Sequence, residues 1–241
     1  MKKSGVVACK LFLLVLFLFA SPALAYQETA VADGGSIVGK VMFKGTAPAP
    51  KKITVTRDKK VCDRETKYTE SLLVSKNRGV KNVVVRLTDI KKGRKFEVPN
   101  SFEIDQGGCQ FRPHVSIVQA GKPFVLINKD GILHNFRTTG TINPTLNKAQ
   151  PKFKKRLKIK LDKPEILRVN CDVHEWMDGW LVVAAHPYYS LSDKSGAFEI
   201  VNVPPGTYTL EIWHETLGKQ TQKVTVKAKK KTRVSLELAK K

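Results

Sequence analysis

Apolar and polar residues alternate along almost the whole chain, and almost no stretch repeats with the period of a helix. Val, Ile, Phe and Thr trade places with Lys, Glu and Arg, and Gly, Asn, Asp and Pro punctuate the runs. This predicts an all-β protein. Strands are expected at 36–43, 52–56 and 80–87, with an irregular stretch at 58–76 and a possible short strand ending 91–100. A middle group is expected at 115–118, 123–128, 134–138, 153–161, 165–170 and 179–184, with a long loop over 139–152. A last group is expected at 197–201, 207–213, 222–226 and 232–238. Ser192 to Gly196 reads as a hairpin turn, and Pro204-Pro205-Gly206 as a tight turn. Alternation nominates Val83, Val85, Phe198, Ile200, Tyr208 and Leu210 for one shared core.

The start of the chain follows a different pattern. Lys2, Lys3 and Lys10 precede or border an apolar run over 11–20, and Ala23-Leu24-Ala25 offers small residues for cleavage. Residues 1–25 therefore read as a secretory signal peptide cut after Ala25. The run is short for a membrane span, and no later segment is apolar enough to be one. The expected location is periplasmic or extracellular.

Cleavage would remove Cys9 and leave Cys62, Cys109 and Cys171, an odd number where disulfides can form. The simplest partition is a Cys62–Cys109 bridge with Cys171 free as a thiolate.

Charge adds a partner class. The formal net charge of +22 falls to +19 without the leader's three lysines. Lysines cluster in runs such as 152–160 and 227–231. Such a field attracts an acidic protein or an anionic cell surface, or it is simply a solvated basic surface. Nucleic acid is not expected, because recognition-helix and arginine–aromatic patterns are missing.

The sharpest chemical signal is Cys171-Asp172-Val173-His174-Glu175-Trp176-Met177, preceded 37 residues earlier by His134-Asn135. Two imidazoles, a thiolate and a thioether form the donor set of a mononuclear copper electron-transfer site. The soft sulfur holds Cu(I), imidazole suits both oxidation states, and a weak thioether commits the ion to neither geometry. Cys171, His174 and Met177 line one tight loop, while His134 comes from a distant strand of a Greek-key sandwich. Zinc is the competing metal for Cys and His, although it gains little from Met177. Taken singly, each of the four residues has an ordinary structural reading.

Residues 105–185 resemble the cupredoxin family, and within it the amicyanin-like proteins. The resemblance rests on Pro113, Ala120-Gly121-Lys122, Asn128, His134-Asn135-Phe136, the 171–177 loop, Gly179 and Val182-Val183. It implies His134, Cys171, His174 and Met177 as ligands of one type 1 copper, and Asn135 as the residue tying the two ligand loops together. Val173, Glu175 and Trp176 depart from the family's loop, and Asp172 and Glu175 either place negative charge near the metal or point outward. The segments Ile37-Val38-Gly39-Lys40-Val41, 79–85 and 192–213 resemble the carboxypeptidase regulatory-like (prealbumin-like) β-sandwich. The two resemblances together imply a cupredoxin-like sandwich at 100–185, inserted in or joined to a sandwich built from 36–99 plus 186–238. Three consecutive units and one enlarged sandwich are the other arrangements.

The function expected is an exported one-electron carrier rather than an enzyme, with an acidic redox protein such as an exported cytochrome as partner. The exposed edge of His174 is the expected electron port. A copper-binding or storage protein, and a surface binding module with a vestigial copper loop, are the alternatives. His114 is expected to be structural and near the bridge, and His186 to pack at the junction. Trp213-His214-Glu215 reads as a contact surface or as core. Either Trp176 or Trp180 is expected to shield the copper edge.

Overall fold

Val83, Val84 and Val85 are all fully buried, which a strand with one solvent face cannot achieve. The computed structural model, which describes residues 26–97 and 102–240, shows why. The strands are β1 (Gln27–Glu28), β2 (Gly35–Lys44), β3 (Val84–Leu87), β4 (Lys92–Gly93), β5 (Glu103–Gln106), β6 (Phe111–Arg112), β7 (Val115–Gln119), β8 (Pro123–Asn128) and β9 (His134–Thr139). They continue as β10 (Asn147–Gln150), β11 (Arg156–Lys160), β12 (Glu165–Asn170), β13 (Asp178–Ala184), β14 (Tyr189–Leu191), β15 (Ala197–Val203), β16 (Gly206–His214), β17 (Gly218–Val226) and β18 (Lys231–Ala239). A single-turn helix, α1, spans Lys59–Cys62.

Four sheets make two face-to-face pairs. One pair joins β14-β3-β16-β17 to β15-β2-β18 around Ile37, Val41, Val83, Val85, Phe198, Ile200 and Leu210. The other joins β10-β9-β12-β13-β7 to β11-β8-β5-β6 around Phe111, Phe124, Leu126, Phe136, Leu167, Leu181 and Val183. Val84 and Val182 belong to neither core. They meet each other with Val115, flanked by Trp180, Tyr189, Leu191 and Trp213. The apolar runs Val83 to Val85 and Leu181 to Val183 are uninterrupted because each packs a core on one face and the neighbouring sandwich on the other.

Several expectations need correction. Tyr208 is only partly buried, and its hydroxyl donates to the Pro204 carbonyl. Residues 52–56 form no strand. Only a single bridge pairs Lys52 with Tyr68, and Ile53 and Val55 pack instead against Cys62 and Cys109. The loop expected at 139–152 contains β10, an edge strand pairing with β9. The turn at 192–196 is not a hairpin, because β14 pairs with β3 while β15 pairs with β2. It carries the chain between sheets. There Gly196 takes φ +80°, and an added Cβ would lie 2.3 Å from the Val41 carbonyl oxygen, so only glycine fits. The proposed signal peptide and Cys9 lie outside the described residues. Among the described residues no helix is long and apolar enough to cross a membrane.

Candidate metal centre

β9 and β12 are antiparallel neighbours, paired from Thr139–Arg168 to Arg137–Asn170. This brings the start of β9, which holds His134, beside the end of β12, which delivers Cys171. The chain then turns through 171–177 into β13. Two short backbone bonds close that turn: Cys171 N–H donates to the Met177 carbonyl (3.0 Å) and Met177 N–H to the His174 carbonyl (2.8 Å).

The turn folds His174 back over Cys171. Cys171 Sγ lies 3.6 Å from His174 Nδ1 and 3.9 Å from His134 Nδ1, and the two Nδ1 atoms are 3.1 Å apart. Bonds of about 2.0–2.3 Å from nitrogen and sulfur to one ion, the lengths found for zinc, would set trigonal donors about 3.5–4 Å apart. The observed triangle is close to that size, so the donor set fits a metal ion. All three side chains are buried. Met177 is also fully buried, in the same core cluster as Cys171.

Asn135 ties the start of β9 to the 171–177 turn. Its Oδ1 accepts from Asp172 N–H (2.5 Å), its Nδ2 donates to Asp172 Oδ2 (3.0 Å) and Asn147 Oδ1 (2.7 Å), and its backbone N–H points at Cys171 Sγ (3.5 Å). Asp172 is thereby engaged by Asn135 and Asn147, and Glu175 is exposed.

Burial pushes the Cys171 thiol up, but hydrogen bonds from His134, His174 and Asn135 outweigh it and hold the group down at about 6. Burial likewise lowers His134, and the contacts with Asp130 and Cys171 outweigh it, raising the imidazole to about 9. The metal-free pocket therefore favours a thiolate beside an imidazolium, and binding a cation there releases the His134 proton.

The outer sides of both imidazoles are occupied by groups the sequence did not nominate. Nε2 of His134 lies 2.9 Å from Asp130 Oδ2, and Nε2 of His174 lies 3.0 Å from Asp58 Oδ2. Asp130 was within reach of sequence reasoning, since it sits four residues before His134. Asp58 stands 116 residues from His174, and no local signal connects them. It is carried there by the segment before α1, which is pinned by the Cys62–Cys109 disulfide. Closing that 47-residue separation contributes about 4 kcal/mol in the chain-entropy picture. The free cysteine is Cys171. Trp176 stacks against His174 (centroids 5.2 Å apart) and donates from Nε1 to the Cys109 carbonyl (3.2 Å). The expected exposed edge of His174 is thus absent: Asp58, Trp176 and the bridged segment cover it, leaving the residue 0% exposed.

The remaining histidines lie elsewhere. His114 is buried. Its Nε2 meets Glu215 Oε1 at 2.5 Å across the boundary between the sandwiches, and Trp180 Nε1 donates to the other Glu215 oxygen at 2.8 Å. Trp180 also packs edge-on against Trp213, at 4.8 Å between centroids, so Trp176 alone of the two tryptophans stands at the metal pocket. Trp213 and Glu215 make contacts within the molecule, and His214 is buried. Burial drives His214 and His186 down to about 4, which leaves both neutral. His186 packs between Tyr26 and Tyr189, where the sequence placed a junction histidine.

Comparison with known proteins gives partial likenesses. A family model described as polysaccharide lyase family 4, domain II, matches residues 168–234. No curated protein matches. Among solved structures, a Cu(I) form of a mutant amicyanin is 15% identical, with 36% of this chain and 86% of that chain covered and a TM-score of 0.33. A purple cupredoxin from Nitrosopumilus maritimus is 16% identical, covering 34% and 99%, with a TM-score of 0.30. A copper-containing nitrite reductase from Thermus scotoductus is 21% identical, covering 41% and 25%, with a TM-score of 0.31.

Proposed function

We propose that this chain is an exported, non-enzymatic copper protein that carries single electrons. The observation that carries the reading is the buried triangle of His134 Nδ1, Cys171 Sγ and His174 Nδ1. Copper bound there supplies reversible one-electron exchange between Cu(II) and Cu(I). The chain's own residues do the rest. His134, Cys171 and His174 offer three clustered donors, and Met177, buried in the same core cluster as Cys171, would be the thioether. Asn135 and the closed 171–177 turn keep the donors in place when the charge changes. The surrounding Phe111, Phe136, Leu167 and Trp176 exclude water. Burial of all donors suits a site whose shape must stay fixed between two oxidation states.

Visible and paramagnetic-resonance spectra after Cu(II) addition test this. The expected result is intense cysteine-to-copper charge transfer from one equivalent of mononuclear copper. A spectrum of nitrogen- and oxygen-bound copper, unchanged in Cys171→Ser, sinks it.

The partner follows from charge. The lysine-rich surface favours an acidic redox protein such as an exported cytochrome, or retention at an anionic cell surface. Electron exchange with an acidic cytochrome should slow steeply as salt rises, because the screening length falls from about 10 Å at 0.1 M to about 3 Å at 1 M. The covered His174 supports a second reading, a protein that holds copper without an electron partner. Full copper loading with no exchange with exported redox proteins would favour it.

The domain reading proposed is a cupredoxin-like sandwich inserted in a regulatory-like one. Its support is that β2 and β3 share sheets and a core with β14 to β18, on the far side of β5 to β13 in sequence. Limited proteolysis that released 36–99 as a folded fragment would contradict it.

A further inference from the structure

We infer that Asp58 and Asp130 are positioning residues of the metal centre, each holding one imidazole so that its Nδ1 faces Cys171. The inference rests on the copper reading for its consequence, but the geometry is independent of it. Both carboxylates address the nitrogen remote from the thiolate: Asp130 Oδ2 at His134 Nε2 (2.9 Å) and Asp58 Oδ2 at His174 Nε2 (3.0 Å). A carboxylate can only accept, so Nε2 of each ring carries a proton, and Nδ1 is the nitrogen that can offer a lone pair to a bound cation once any second proton has left. Partners of this kind fix the ring's tautomer and orientation and make it a better donor.

The chain spends local structure to put Asp58 there. Asp58 stands at the N-terminal cap of α1, where an Asp side chain ordinarily accepts from the first turn's N–H groups. Here it makes no capping bond, and its backbone takes φ 49°, a left-handed conformation uncommon outside Gly, Asn and Asp. The carboxylate is turned instead toward His174, while the Asp58 carbonyl accepts from Val61 and Cys62 N–H at 2.9 Å each.

One covalent link organises both carboxylates. Asp58 leads through that turn into Cys62. The disulfide joins Cys62 to Cys109, and the backbone N–H groups of Gly108 and Cys109 donate to Asp130 at 2.6 and 2.8 Å. The sulfurs of the bridge and a ring nitrogen of His174 lie within 4.8 Å of one another. The bridge is therefore the frame on which both outer partners are mounted. One of them, Asp58, comes from outside the sandwich that supplies His134, Cys171, His174 and Met177.

The test uses the full mature chain with Asp58→Gly, Asp58→Asn and Asp130→Asn. Glycine accepts the left-handed φ, so Asp58→Gly removes the carboxylate without straining the turn. Nitrogen-resolved NMR of the metal-free protein reads the tautomer of His174 directly. Wild type should show a His174 Nε2–H protected from solvent exchange. Asp58→Gly should lose that protected proton, and Asp58→Asn, which keeps an acceptor, should retain it. Asp130→Asn should disturb His134 and leave the His174 signal in place. In the Cu(II)-loaded proteins, release of copper to a chelator should be about ten- to a hundredfold faster for Asp58→Gly than for wild type, with Asp58→Asn between them. An unchanged His174 tautomer and exchange rate in a folded, bridged Asp58→Gly protein overturns the inference. Failure of wild type to bind copper would sink the proposed function, and the NMR result would still decide the positioning role.

Discussion

The two sandwiches differ in what they bury. The one built from β2, β3 and β14 to β18 has a core of aliphatic and aromatic side chains around Ile37, Val41, Val85, Ile200 and Leu210, although it also buries Ser192, Glu211 and His214. The other has an apolar core at its middle but buries Gln106, Asn128, His134, Asn135, Gln150 and His174 toward one end. Most of their polar atoms are paired, Gln106 Oε1 being an exception. Gln106 Nε2 donates to Gln150 Oε1, Asn128 Nδ2 to the Ile132 and Gln150 carbonyls, and Asn135 spans the two ligand segments. An apolar core contributes stability in proportion to the area it hides. A buried polar end contributes less net stability but permits only one arrangement, because each unpaired group there is costly. One sandwich is the scaffold, and the other trades part of its core for a site of fixed shape.

The largest expected break in this contrast is Cys171→Ser. It should abolish the cysteine-to-copper absorption completely while leaving the apolar sandwich folded, as judged by near-ultraviolet circular dichroism. The reverse case is Leu210→Ala. It truncates a side chain 1% exposed at the centre of the apolar core and should cost about 2–5 kcal/mol in chemical denaturation. The copper spectrum of the protein that remains folded should not change.

Asn135→Ala should be smaller in stability, about 1–3 kcal/mol, because it strands Asp172 N–H and Asn147 Oδ1. It should also broaden the copper spectrum, since the two ligand segments lose their tie. A sharp, wild-type spectrum in that variant would show that β9 and β12 hold the ligands without it.

The smallest effect is expected where the sandwiches meet. Burial alone would lower His114, but contact with Glu215 raises it. Burial alone would raise Glu215, but His114 and Trp180 lower it. The histidine's contribution is complete below its ordinary value of about 6.5 and is lost as pH rises through its raised folded value. The glutamate's contribution is complete above about 4.5 and is lost as pH falls through its depressed folded value. The pair should therefore support stability most between about pH 4.5 and 6.5. His114→Gln should flatten the alkaline decline in a series of melting curves, and an unchanged pH profile would show that the contact is silent.

The sequence was most readable where one rule governed a segment. Alternation marked β2, β12, β15, β16 and β18, because each has one face on a core. Reading failed where two demands met. Asn147-Lys148-Ala149-Gln150 has no apolar alternation, because β10 is an edge strand with only Gln150 buried, so it passed for loop. Ile53 and Val55 do alternate, but what they pack on is the disulfide and not a sheet. The candidate donors were legible because Cys171, His174 and Met177 share one short turn. Asp58 was not, because a contact spanning 116 residues leaves no trace in local spacing. The exposed His174 edge was a wrong expectation for the same reason: besides Trp176 of the same turn, what covers it is Asp58 and the segment held by the disulfide.

The pairing of Cys62 with Cys109 also bears on assembly. A chain emerges from its N-terminus, so these two thiols appear in succession, with Cys171 still to follow. Joining nearest neighbours in order of emergence lets the bridge close before the last thiol can compete for it. The later cysteine then meets the imidazole of His134 instead of a partner sulfur, and His174 follows it three residues on.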